Sequence, residues 1–122
     1  MTKVLLIEDN KNNRYLMSFI LKGEGFEVVE AVTGEEGVET AIRERPDIVL
    51  MDIQLPGIDG YEATRRIRAS HADKKIPIIA LTSYAMTGDR ERALAAGCSG
   101  YIEKPINPET IIREISAFLR RP

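Results

Sequence analysis

The feature of this chain that most restricts its fold is a repeated alternation of short apolar runs with longer stretches of helical periodicity. "KVLLI" (3–7), "FEVVEA" (26–31), "DIVLM" (47–51), "IPIIAL" (76–81) and "SGYIE" (99–103) are each followed by a segment patterned as a helix. Three of the five runs are continuously apolar, as parallel strands must be when helices cover both faces of their sheet. The alternation predicts an α/β fold, a doubly wound parallel sheet with five strands and five helices. The punctuation agrees. The first helix is expected from Asn10 to Lys22, ended by Gly23 and Gly25. Thr33 with Glu36 forms a capping box for a helix running to Glu44, and Asp59 with Glu62 caps a third through Ala69. A fourth helix is expected from Thr87 to Ala96, before Gly97, and Asn107 followed by Pro108 opens the last.

A chain of 122 residues supports one domain with a real core, expected to span 1–122. Seventeen Lys and Arg against nineteen Asp and Glu leave no basic excess of the kind that draws a protein onto nucleic acid. The basic runs Arg65–Arg68 and Arg120–Arg121 read as solvated helix faces. No stretch approaches the roughly 18–20 apolar residues that cross a bilayer, and "MTKVLLIED" turns acidic too early for a secretory leader. A cytoplasmic location, without membrane or nucleic-acid contacts, is the resulting expectation. The single cysteine, Cys98, excludes an internal disulfide and a four-thiolate zinc site.

In a doubly wound sheet every strand ends on one edge, and ligands bind there where the winding reverses. Strand one ends in Glu8 and Asp9, strand three in Asp52, strand four in Thr82 and Ser83, and strand five in Glu103 and Lys104 before Pro105. The opposite edge offers no comparable set. If strands one and three are neighbours, Glu8, Asp9 and Asp52 converge. At about 5 Å and an effective dielectric near 20, each carboxylate pair repels by roughly 3 kcal/mol, so the cluster must keep a proton or hold a cation. Carboxylate oxygens, a backbone carbonyl and waters suit Mg²⁺. Lys104 and the Thr82 hydroxyl then supply what the remaining oxygens of a phosphoryl group need, and Asp52 is placed as its acceptor. The bland reading, in which each acid is a helix or turn cap, suits any one of these residues taken alone. Four strands ending in complementary groups on one edge favour the site.

These motifs, "IEDN" (7–10), "LMDIQLPGIDG" (50–60), "ALTSYAM" (80–86) and "GYIEKPI" (100–106), resemble the receiver domain of two-component response regulators from end to end. The resemblance implies the CheY-like, flavodoxin-like strand order 2-1-3-4-5 and phosphorylation of Asp52 by a histidine kinase or histidine phosphotransfer protein. It implies Mg²⁺ bound directly by Asp9, Asp52 and the Gln54 backbone carbonyl, with Glu8 acting through water. It implies that Thr82 and Lys104 hold the phosphoryl oxygens, that Tyr101 is the switch aromatic following Thr82, and that the Lys104–Pro105 bond is cis. Output is expected through partner proteins at the fourth helix, fifth strand and fifth helix, because the chain ends where a receiver ends. The stretch "AMTGDRERALAAGCSGYIEKPI" resembles single-domain regulators of bacterial cell division of the DivK type, although receivers of hybrid histidine kinases look much the same.

Two other classes fit less well. A metal-dependent phosphatase with an aspartyl nucleophile wants a second acid two residues on, where Gln54 stands. A flavodoxin-like electron carrier wants a glycine- or hydroxyl-rich loop after strand one, where "EDNKNN" is acidic and amide-rich. Ser83 stands where the family more often has alanine, and Tyr84, with Gln54, is expected to shield a phosphoryl group from water. His71 reads as a solvated loop residue and Cys98 as a small, partly buried one. In the first helix only Ser18 is polar between Tyr15 and Leu21. Leu16, Phe19 and Ile20 are expected to pack inward, leaving Tyr15, Met17 or Leu21 as a docking surface.

Overall fold

The computed structural model describes residues 1–70, 75–83 and 88–119. The expectations for His71, Tyr84, Thr87 and the pair Arg120–Arg121 lie outside these residues. The chain alternates β1 (Lys3–Ile7), α1 (Lys11–Gly23), β2 (Glu27–Ala31), α2 (Gly34–Glu44), β3 (Ile48–Asp52), α3 (Gly60–Ala69), β4 (Ile78–Thr82), α4 (Asp89–Ala96), β5 (Gly100–Glu103) and α5 (Ile111–Leu119). The strands form one parallel sheet in the order β2-β1-β3-β4-β5. The order reverses between β1 and β3, which places the ends of these two strands side by side at the carboxyl edge.

The continuous apolar runs have a direct structural cause. Side chains alternate faces along a strand, so Leu5, Ile7, Val49 and Met51 enter the core beneath α2 and α3. Val4, Leu6, Ile48 and Leu50 enter the other core, shared with Met17 and Leu21 of α1 and Ile111 and Ile115 of α5. Neither face of the sheet is left to solvent, so neither phase of the strand tolerates a polar residue. The caps read at Thr33 and Asp59 hold, their side chains accepting the backbone N–H groups of Glu36 and Glu62, and Asn10, expected as the first helical residue, caps α1 instead by accepting from Asn13.

Three details differ from the sequence reading. Helix α1 is turned about its axis: Met17 and Leu21 are buried, while Leu16 is 46% and Phe19 69% exposed beside Tyr15 at 74%. Ile20 alone of the expected inward set is half-buried against the core. With apolar residues nearly all round this segment, the pattern does not fix which stripe faces inward. Met17 and Leu21, four residues apart and so on one face, win because they meet Val4 and Leu6. Helix α5 begins at Ile111 rather than Pro108, since the Asn107 carbonyl and Oδ1 tie residues 109–111 into a tight turn first. Arg68 is not a solvated residue: its guanidinium donates to the Gly97 and Ile76 carbonyls at 2.9 and 2.7 Å, stitching α3 to the start of β4 and the turn before β5. Arg65 and Arg66 do lie exposed, paired with Glu62.

Candidate functional site

The carboxyl edge gathers Glu8, Asp9, Asp52 and Lys104. Asp52 is the last residue of β3 and, despite its charge type, is only 5% exposed. Glu8, one residue past β1, is 1% exposed. The Lys104 ammonium joins them, 2.8 Å from Glu8 Oε1 and 3.1 Å from Asp52 Oδ2. Lys104 is itself placed by its backbone N–H, which donates to the Thr82 carbonyl at 2.7 Å, and its bond to Pro105 is cis. Two backbone donors complete the acids' partners: Asn10 N–H to Glu8 Oε2 at 3.2 Å and Gln54 N–H to Asp52 Oδ1 at 3.1 Å. Carboxylate oxygens of Glu8, Asp9 and Asp52 lie within 4.8 Å of one another.

Charge and burial together decide how these groups titrate. Burial is the largest influence on the Asp52 carboxyl and, with the hydrogen bond and charge of Glu8, lifts it to about 7 against the pull of Lys104. Burial pushes Glu8 up as well, but the hydrogen bonds it accepts from Asp52, Lys104 and the Asn10 N–H outweigh this and hold it below the ordinary range. Burial lowers Lys104, and the two acids more than offset that, so the ammonium stays charged. Of the two acids, Asp52 is therefore the one that keeps its proton to the higher pH. A proton kept by a buried acid marks the place a cation would take, and oxygen donors crowded on one edge fit a hard divalent ion such as Mg²⁺.

Thr82 is buried at the end of β4, paired in register with Glu103, and Tyr101 is half-buried opposite Ala80. Gln54 is exposed in the loop following Asp52. That loop needs its glycines: Gly57 has φ +76°, where a side chain would also crowd the Glu35 carboxylate, and a Cβ on Gly60 would collide with the Asp52 carbonyl. Ser83 is exposed and lines a cavity of about 380 Å³ that also touches Glu8, Lys104, Leu16, Met17 and Ile106. Cys98 is buried, its thiol pushed up by burial, with Thr64 Oγ1 at 3.7 Å.

Two residues were not singled out by sequence. Arg14 donates to the backbone carbonyls of Glu8 and Asp9, and Glu35 accepts the Ile58 N–H at 3.1 Å, pinning the loop after Asp52 to α2. Their signal in sequence is slight, because a charged residue in the first turns of a helix is ordinary and its backbone partners cannot be read from residue types.

A buried aspartate bridged by lysine to a second acid at the switch point of a five-stranded parallel sheet is the arrangement of a signalling receiver. The model of the response regulator receiver domain matches residues 4–116, and the chain belongs to that family. It is similar to the polar-differentiation response regulator DivK of Brucella anthropi, with 39% identity over 116 residues, 95% of this chain and 94% of that protein. The DivK of Brucella ovis is likewise 39% identical over 120 residues, 98% of each chain. Among solved structures, the receiver domain of a sensor histidine kinase from Pseudomonas aeruginosa, with a magnesium ion coordinated in its active-site cleft, superposes with a TM-score of 0.91. The two are 39% identical over 98% of each chain. A CheY-like receiver domain protein from Methanospirillum hungatei gives a TM-score of 0.90 at 29% identity, covering 98% of this chain and 94% of that one. Among the described residues no helix is long and apolar enough to cross a membrane.

Proposed function

We propose that residues 1–122 act as a phosphorelay switch in which Asp52 accepts a phosphoryl group from the phosphohistidine of a histidine kinase or phosphotransfer protein. An Asp52 oxygen attacks phosphorus, the phosphorus–nitrogen bond breaks, and the imidazole leaves with the bonding pair and takes up a proton. Asp9, Asp52 and the Gln54 carbonyl are the residues that would hold Mg²⁺, with Glu8 acting through water. The ion, when bound, neutralises charge on the phosphoryl oxygens. Lys104 and the Thr82 hydroxyl hold those oxygens, and Tyr101 follows Thr82 as the switch. The observation that carries this reading is the Lys104 ammonium bridging Glu8 and Asp52. An ammonium between two buried acids is poised to remain with the oxygens once one acid has become an acyl phosphate.

Output is by binding, not by turnover of an external substrate. The face made by α4, β5 and α5 carries an open cavity of about 640 Å³ bordered by Leu94, Tyr101 and Phe118, and Glu103 on its rim pairs in register with Thr82. Phosphorylation acts there as a population shift, since the phosphoryl group binds one state of the switch better than the other. The exposed Tyr15, Leu16 and Phe19 of α1 suit a docking helix of the phosphodonor, with Lys11 and Lys22 beside them. A cytoplasmic location accords with such partners. The 39% identity to the Pseudomonas aeruginosa receiver supports a second setting for the same chemistry, as the receiver of a sensor histidine kinase. The test is incubation with Mg²⁺ and a small phosphodonor, followed by mass spectrometry. An alkali-labile adduct on Asp52, absent from Asp52→Asn, is expected. An unmodified chain, or an adduct that survives the substitution, overturns the proposal.

A further inference from the structure

The acids of β1 stand on a corner of the chain that a single side chain holds in shape. The Arg14 guanidinium donates through Nη1 to the Glu8 carbonyl at 3.0 Å and to the Asp9 carbonyl at 3.2 Å. Its Nε is 3.1 Å from Glu30 Oε1 near the end of β2, with the Arg14 side chain 19% exposed. The peptide unit between Asp9 and Asn10 is thus gripped from both sides, its carbonyl by Arg14 and its N–H by the Glu8 carboxylate. A peptide unit is planar, so with the Glu8 carbonyl held as well the planes on both sides of the Asp9 Cα are restrained, and with them the direction in which the Asp9 side chain leaves the backbone. The Glu8 N–H, bonded to the Ala31 carbonyl at 3.0 Å, anchors the corner to β2 on the other side.

We propose that Arg14 is a positioning residue for the cation site: braced by Glu30, it orients the Glu8–Asn10 corner so that Asp9 and Glu8 face Asp52. The inference rests on the reading of that cluster as a Mg²⁺ site. It predicts a sign opposite to simple electrostatics. Arg14 is a cation beside the acids, so a purely Coulombic role means that its removal tightens Mg²⁺ binding. A positioning role means that its removal weakens binding. Lysine keeps the charge but lacks the planar fork that reaches two carbonyls and a carboxylate at once, so it does not substitute.

The test is Mg²⁺ titration of the full chain by calorimetry, with urea unfolding of the metal-free proteins measured alongside. Arg14→Ala and Arg14→Lys are each expected to raise the Mg²⁺ dissociation constant about tenfold, the usual scale for a residue that orients a ligand. Glu30→Gln is expected to raise it less, and to add nothing once Arg14 is already alanine. Arg14→Lys gives the answer by itself if the alanine variant does not fold. Parent-like or tighter binding by Arg14→Lys overturns the proposal, as does a lowered urea midpoint with no change in Mg²⁺ affinity. A parent chain that binds no Mg²⁺ overturns the cation site itself. Failure at that level is distinguishable from failure of the Arg14 inference alone, in which the parent binds and the variants match it.

Discussion

Two lysines meet carboxylates at opposite ends of the same sheet. At the amino edge, Lys3 Nζ lies 3.2 Å from Glu44 Oε1, and the Lys3 N–H donates to Asp47 at 2.7 Å. At the carboxyl edge, Lys104 lies 2.8 Å from Glu8 and 3.1 Å from Asp52. Distances and residue types are alike, and the surroundings are not. The Lys3 and Glu44 side chains are 26% and 33% exposed, against 15% for Lys104 and 1% for Glu8. Hydrogen bonding to Lys3 is the main reason that Glu44 titrates a little below its ordinary range, as a solvated ion pair does. At the carboxyl edge burial is the largest influence and, with Glu8, lifts Asp52 to about 7 against the pull of Lys104. The opposite edge carries acids and a lysine too, but water screens them, so the set is not comparable. Burial, not the presence of charge, separates the carboxyl-edge cluster from a surface pair.

The comparison breaks most sharply at the two lysines. Lys104→Met leaves two buried acids without their cation and is expected to destabilise the metal-free protein by about 3 kcal/mol in urea unfolding at neutral pH. Lys3→Met is expected to leave the urea midpoint unmoved within error. Equal losses at the two sites would remove the distinction.

Asp52→Asn is expected to act in the opposite direction and to depend on pH. The folded state holds the Asp52 proton more tightly than the unfolded chain, whose pKa is about 3.9. The stability this group supplies is complete below that unfolded value and is lost as pH rises through about 7. Glu8, shifted downward, contributes the reverse: stability present above its unfolded value and lost on acidification below it. Metal-free Asp52→Asn therefore gains on the parent as pH rises from 5 to 8, by on the order of 2 kcal/mol at the upper end. Urea midpoints across that range in a chelator check it, and a constant difference contradicts it.

Adding Mg²⁺ narrows that gap. At roughly tenfold above its dissociation constant the ion stabilises the parent by about 1.4 kcal/mol, and it gives Asp52→Asn much less. Identical thermal shifts for the two proteins would place the ion elsewhere. The smallest effect is expected at Glu35→Ala, which frees the Ile58 N–H for faster hydrogen exchange and costs about 0.5–1 kcal/mol, while Glu35→Gln, still an acceptor, stays near the parent.

Much of this was legible in the residues. Continuous apolar runs announced a sheet covered on both faces, the caps at Thr33 and Asp59 set two helix starts, and strand-end acids pointed to the carboxyl edge. What the pattern lacked was phase and partners. Helix α1 is apolar on too many sides for its inward stripe to be read, so Leu16 and Phe19 were expected inside where Met17 and Leu21 are found. Pro108 is a favourable first helical residue, but Asn107 forms its own turn before Ile111. Arg14, Glu35 and Arg68 all act on backbone carbonyls or N–H groups, which every residue carries and no sequence pattern distinguishes.

The claim that burial sets the Lys104 cluster apart is tested most directly by NMR titration of the side-chain carboxyls in the metal-free protein. The account predicts one carboxyl titrating near pH 7, missing from Asp52→Asn, while Glu44 and Glu62 titrate below the ordinary range. A spectrum in which every carboxyl, Asp52 included, titrates below about pH 5 would contradict it.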